Sequence, residues 1–164
     1  MSAKTFPTYV AEAALAGANN KDMLSILNPI GSGKVVKVWE VWATVTSASG
    51  ATVIVPFEMR RATAVTAGTI ATAGRYDSAD PAPSAVVRSA PTSISDGTPA
   101  LMWTWVEQIN TAQGSTDSTT AEVSDAGGGA QTRGFTLREG EALYLRQIAN
   151  NTSTFRMGVL WTEE

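Results

Sequence analysis

The residues that could do chemistry in this chain are few, and their spacing decides most cases. Glu139 and Glu141 are two carboxylates separated by one residue. A carboxylate pair can hydrolyse a glycosidic bond without help from any other residue type. On a strand their spacing would place both on one face, but Gly140 between them marks a turn, where glutamates serve solubility. Gly31-Ser32-Gly33-Lys34 suggests a phosphate loop. The full pattern needs a glycine where Asn28 stands and a Ser or Thr where Val35 stands, so a turn is the better reading. Asp77 and Asp80 lie in a polar stretch, and Asp117, Glu122 and Asp125 in another. Neither set has the alternating carboxylates and closing glutamate of a calcium loop. Arg60 and Arg61 are adjacent. On a strand they point to opposite faces, which favours separate salt bridges over a shared phosphate site.

Composition narrows the chemistry further. The 164 residues include no histidine and no cysteine. That removes thiolate and imidazole metal sites, cysteine nucleophiles and Ser-His-Asp triads. No catalytic residue, metal or cofactor is expected. Charged residues make up 16% of the chain and the net charge is −3, which argues against a partner read through its phosphates. No stretch approaches the roughly 18 apolar residues of a membrane span, and Lys4 followed by Glu12 makes a poor secretory signal. A chain of this length hides roughly 69% of its extended surface on folding, enough for one self-supporting domain.

Five tryptophans stand out. Trp39, Trp42, Trp103, Trp105 and Trp161 all fall in stretches that read as strands. Residues 34–46 are rich in Val, Trp and Thr. Strict alternation puts Val35, Trp39, Val41, Ala43 and Val45 on one face, and Val36, Val38, Glu40, Trp42, Thr44 and Thr46 on the other. Both faces carry apolar side chains, so the second is expected to meet something other than water. Trp42, Val36 and Val38 are therefore candidates for a self-association face, with Arg60 and Arg61 as further interface candidates.

The rest of the chain reads as β. Residues 22–28 form a short apolar run stopped by Pro29. Residues 52–61 alternate, with Pro56 implying an edge or a bulge, and 34–61 reads as a hairpin. Short strands are expected within 62–72, at 85–89, 100–109, 133–138, 142–149 and 154–162. In the last, Phe155, Met157, Val159 and Trp161 share a face. Four prolines make 74–99 a long connection, and the glycine-rich 110–132 reads as a loop, mobile or ordered by a partner. Tyr9–Ala16 is the one helical candidate, and residues 1–20 read as an extended or partly helical arm with Phe6 and Tyr9 as anchors. Residues 21–164 then form a single all-β domain, an antiparallel sandwich of jelly-roll type.

The run PFEMRRATAVTAGTIATAGRYDSADPAPSAVVRSAPT (56–92), then DGT (96–98), then LREGEALYLRQIANNTSTFRMGVLWTEE (137–164) resembles small virion proteins of tailed bacteriophages, in the style of head decoration or cement proteins. The resemblance lies in texture and segment order over most of residues 22–164. It implies a jelly-roll module in a virion, made in the host cytoplasm, that forms a homo-oligomer, often a trimer, and clamps the major capsid protein. Two other classes remain: a carbohydrate- or receptor-binding module of a fibre or tail, in which exposed tryptophans stack on sugars, and a hydrolase working with carboxylates alone.

Overall fold

The computed structural model describes residues 4–14, 21–47, 53–109, 118–122, 134–148 and 154–164. These hold eleven strands and no helix: β1 (Lys4–Ala14), β2 (Lys21–Leu27), β3 (Val36–Ser47), β4 (Val53–Val65), β5 (Thr69–Ile70), β6 (Val86–Ser89), β7 (Ile94–Ile109), β8 (Ser118–Glu122), β9 (Phe135–Leu137), β10 (Ala142–Gln147) and β11 (Thr154–Glu163). They form two antiparallel sheets. Sheet A runs β1-β11-β3-β8, with β9 also paired to β3; sheet B runs β5-β6-β2-β10-β4-β7.

One hydrophobic core joins the sheets. The inward residues of β11, namely Phe155, Met157, Val159 and Trp161, are all buried, as their alternation predicts. They meet Leu24, Ile26, Phe57, Met59, Leu143 and Leu145 of sheet B. Phe57 and Phe155 contact edge to face across the sheets, with centroids 5.3 Å apart. That is a favoured aromatic geometry.

Four expectations are corrected. Residues 34–61 are not a hairpin: β3 belongs to sheet A and β4 to sheet B. Residues 4–14 are neither a helix nor a free arm, because β1 pairs with β11 from Lys4↔Glu163 to Ala14↔Thr154. The helix-favouring Ala and Glu are overridden by cross-strand pairing, and Phe6 is 1% exposed against Trp161. Of the helical candidate, residues 15 and 16 lie outside the described residues. Residues 118–122 inside the expected 110–132 loop form β8, paired with β3. Finally, of the two readings of Pro56, an edge or a bulge, the edge is overturned: β4 lies between β10 and β7, while its pairing with β7 does shift register between Met59 and Ala64. The Pro56 carbonyl accepts Ile148 N–H at 3.0 Å, beyond the last β4–β10 ladder pair, Phe57↔Gln147. The missing proline N–H therefore affects only the end of the ladder.

The faces of β3 also differ from strict alternation. Leu160 of β11 pairs with Glu40 while the next residue, Trp161, pairs with Val38, so Trp39 is an extra residue, a β-bulge. The bulge resets the alternation. Val36 and Val38 before it, and Val41 and Ala43 after it, all point into the core, at most 4% exposed.

Two turns are clasped at one end. Asn28 is fully buried: its Nδ2 donates to the carbonyls of Lys34 (2.9 Å) and Leu137 (3.0 Å), and its Oδ1 accepts from Ser32 Oγ. Gly31 and Gly33 have positive φ, 82° and 64°, as only glycine adopts without strain.

Candidate binding surface

With Val36 and Val38 in the core, the outer face of sheet A falls to Trp39 and Trp42, both half-buried. Sequence alternation separated these two tryptophans; the bulge brings them to the same side. Each indole rests on a glycine of a neighbouring strand. Gly158 of β11 pairs with Trp42, and a Cβ built on it would lie 2.4 Å from Trp42 Cε2 and Cζ2. A Cβ on Gly134, just before β9, would lie 2.6 Å from Val38 O and 3.1 Å from Trp39 Cε3. Both rings therefore lie close against the sheet, in space that any side chain other than hydrogen would occupy. Trp39 is further held by its Nε1–H, which donates to Thr162 Oγ1 at 3.0 Å.

Around the two rings stand Leu160, Lys37, Glu40, Arg156 and Thr162. They follow from the register: Leu160↔Glu40, Thr162↔Lys37, and Arg156 two residues from Gly158 on the same strand. Lys37 pairs with Glu164 at 2.8 Å. Tyr9 of β1 occupies the position opposite Gly158, in one cross-strand row with Trp42 and Thr120 of β8.

The other predicted interface residues are dispersed. Phe6, Val36 and Val38 are buried core, which removes them from any partner's reach. Arg60 and Arg61 take opposite sides of β4. Arg60 pairs with Glu58 at 2.6 Å. Arg61 reaches across to sheet A, where it donates to Thr136 O at 3.0 Å and pairs with Glu141 at 3.5 Å. On the same side of sheet B as Arg60, the Tyr144 phenol donates to Asp96, and Arg146 lies over its ring at 5.1 Å and pairs with Asp22 at 2.7 Å. Burial, then the bond to Asp96, pushes the Tyr144 hydroxyl well above its ordinary range. The bond to Asp22 raises Arg146.

Glu139 and Glu141, the pair weighed for catalysis, accept bonds from turn backbone, and Asp117 and Asp125 lie outside the described residues. The glycine loop does hold an anion, but it is the chain's own: Gly31 N–H and Gly33 N–H donate to the Glu139 carboxylate at 3.1 and 2.7 Å. Glu141 accepts from Arg138 N–H at 2.7 Å. Asp80 is buried against Lys4 at 2.7 Å. The Asp80 bond, and then its charge, raises the Lys4 ammonium.

Sequence reasoning missed three structural determinants. Gly134 and Gly158 fall in stretches that read as strands, 133–138 and 154–162, with no role assigned to them, though a glycine inside an alternating strand is itself a signal of a close approach. Glu163 is 4% exposed and accepts from Ser84 N–H, Ala85 N–H and Trp161 Nε1–H, tying the loop before β6 to β11. Its terminal position gave no hint of that burial. Among the described residues no group of three His, Cys, Asp or Glu side chains is placed to hold a metal ion. No protein-family model, curated protein or solved structure matches this chain.

Proposed function

We propose that the chain is a non-enzymatic structural protein of a tailed-bacteriophage particle, a capsid decoration protein built on a jelly roll and acting as a homo-oligomer, a trimer first of all, on the major capsid protein. The observation that carries the reading is the nesting of the strands. With the short β5, β6 and β9 set aside, β1 pairs with β11, β2 with β10, β3 with β8 and β4 with β7. Along the chain these pairs alternate between the sheets except where β4 leads to its partner β7. A long hairpin folded over on itself in this way supports a jelly roll, a fold that viral shell proteins and lectins share.

Fold alone does not choose between hosts. The choice of a virion rests on the likeness of residues 56–92 and 137–164 to phage head proteins. The location of Phe6, Val36 and Val38 moves the expected contacts from those residues to the outer faces and free edges of the sheets. Repeated contacts across a shell lattice would add avidity that no single interface needs to supply.

Light scattering behind a sizing column tests the oligomer, with a mass of three times 17.2 kDa expected. Immunogold labelling of phage particles induced from a strain carrying this sequence tests the location. A monomer that labels no particle overturns the reading.

A further inference from the structure

The outer face of sheet A has a geometry that core packing alone does not require. Trp39 and Trp42 leave the β3 backbone three residues apart, about 10 Å along a strand at 3.3 Å per residue, shortened by the bulge. Each ring lies against a glycine, Trp39 against Gly134 and Trp42 against Gly158. Seating a ring on glycine fills the gap left by the missing side chain, which consumes only one side of the indole. Both rings remain half-buried, so the sheet carries two flat apolar platforms on one face.

The rim indicates what fits. Glu40 and Arg156 oppose each other in charge, and among the described residues neither makes an ion pair. Lys37 is already paired with Glu164. The rim thus supplies donors and acceptors of both signs, with Glu122 of β8 the register partner of Glu40. A flat platform suits a flat partner better than a side-chain anchor that fills a pocket. A pyranose ring matches it: its C–H face is apolar and planar, and its equatorial hydroxyls need polar partners at the edge.

We propose that this face binds a neutral glycan chain, with pyranose rings stacked on Trp39 and Trp42 and ring hydroxyls met by Glu40 and Arg156. The proposal does not rest on the virion reading, since a monomer that binds glycan and labels no particle would support this one and sink the other.

Native affinity electrophoresis through gels containing dextran, laminarin, galactomannan or xylan tests it. The wild-type chain is expected to be retarded in at least one gel. Trp42→Ala and Trp39→Ala should each weaken retardation about tenfold or more, the loss expected for one stacked ring. Trp42→Phe keeps a ring over Gly158 and should retain part of the binding, which guards against misreading a folding defect. Arg88→Ala, on sheet B, should bind as wild type. Retardation in none of the gels, or equal retardation of wild type and both alanine variants, overturns the proposal. So does a Trp42→Ala variant that changes oligomeric mass while leaving retardation intact, which would assign the face to self-association.

Discussion

Replacing Gly158 by alanine tests the central geometric claim, that a glycine seats the Trp42 ring. The added Cβ would lie 2.4 Å from Trp42 Cε2 and Cζ2 and 2.6 Å from its Nε1. Ordinary carbon–carbon contact is about 3.5 Å, so the overlap exceeds 1 Å and the indole must move. The backbone at 158 is not in the left-handed region, so alanine adds no backbone strain. Two effects then compete. Gly→Ala in a strand gains about 0.5–1 kcal/mol. Forcing a packed ring aside costs about 1–3 kcal/mol. The second wins, and a net loss of about 1–2 kcal/mol is expected, lowering the midpoint by about 2–8 °C for a chain of this size. In a Trp42→Ala background nothing opposes the new methyl, and Gly158→Ala should become neutral or stabilising by about 0.5–1 kcal/mol. Urea unfolding of the four proteins, at one protein concentration, closes the cycle with a coupling of about 2 kcal/mol. A Gly158→Ala protein as stable as wild type, with coupling below about 0.5 kcal/mol, would refute the claim that the ring lies on the glycine.

Other substitutions probe other parts of the argument. Phe155→Ala removes a fully buried ring at the junction of the sheets and should cost about 3–5 kcal/mol by urea unfolding; less than 1 kcal/mol would mean that the sheets do not share this contact. Asn28→Ala strips the buried Leu137 carbonyl and the part-buried Lys34 carbonyl of their donor and should cost about 2–4 kcal/mol, with hydrogen exchange speeding first at Gly140 and Ser32. Unchanged exchange there would count against the clasp. Tyr144 binds its proton more tightly folded than unfolded, so its share of stability is complete below its ordinary value of 10.0 and lost as pH rises above it. Stability should fall more steeply above pH 10 in wild type than in Tyr144→Phe, and parallel curves would contradict that linkage.

Much of the architecture was legible along the chain, since alternation is a local property. Phe155 to Trp161 announced a half-buried strand, and every inward residue of β11 is where period two places it. The absence of histidine and cysteine narrowed the chemistry before any coordinates. The turn at Gly31-Ser32-Gly33 was readable from glycine's freedom at positive φ, though its bond to Glu139, 106 residues away, was not.

What the sequence could not decide were matters of pairing. Local preference marked residues 9–16 as helix-prone, but partners on β11 made residues 4–14 a strand, because cross-strand bonds and burial of Phe6 outweigh a propensity of tenths of a kcal/mol per residue. The register of β3 against β11 carries one extra residue at Trp39, and no property of residues 34–46 taken alone reveals it. That single insertion sends Val36 and Val38 inward and gathers Trp39 and Trp42 on the outer face. Residue types along the chain thus determined that this is a β protein with surplus aromatic surface. Which aromatics face solvent was decided only when distant strands fixed their register, because a shift of one residue exchanges the two faces of a strand.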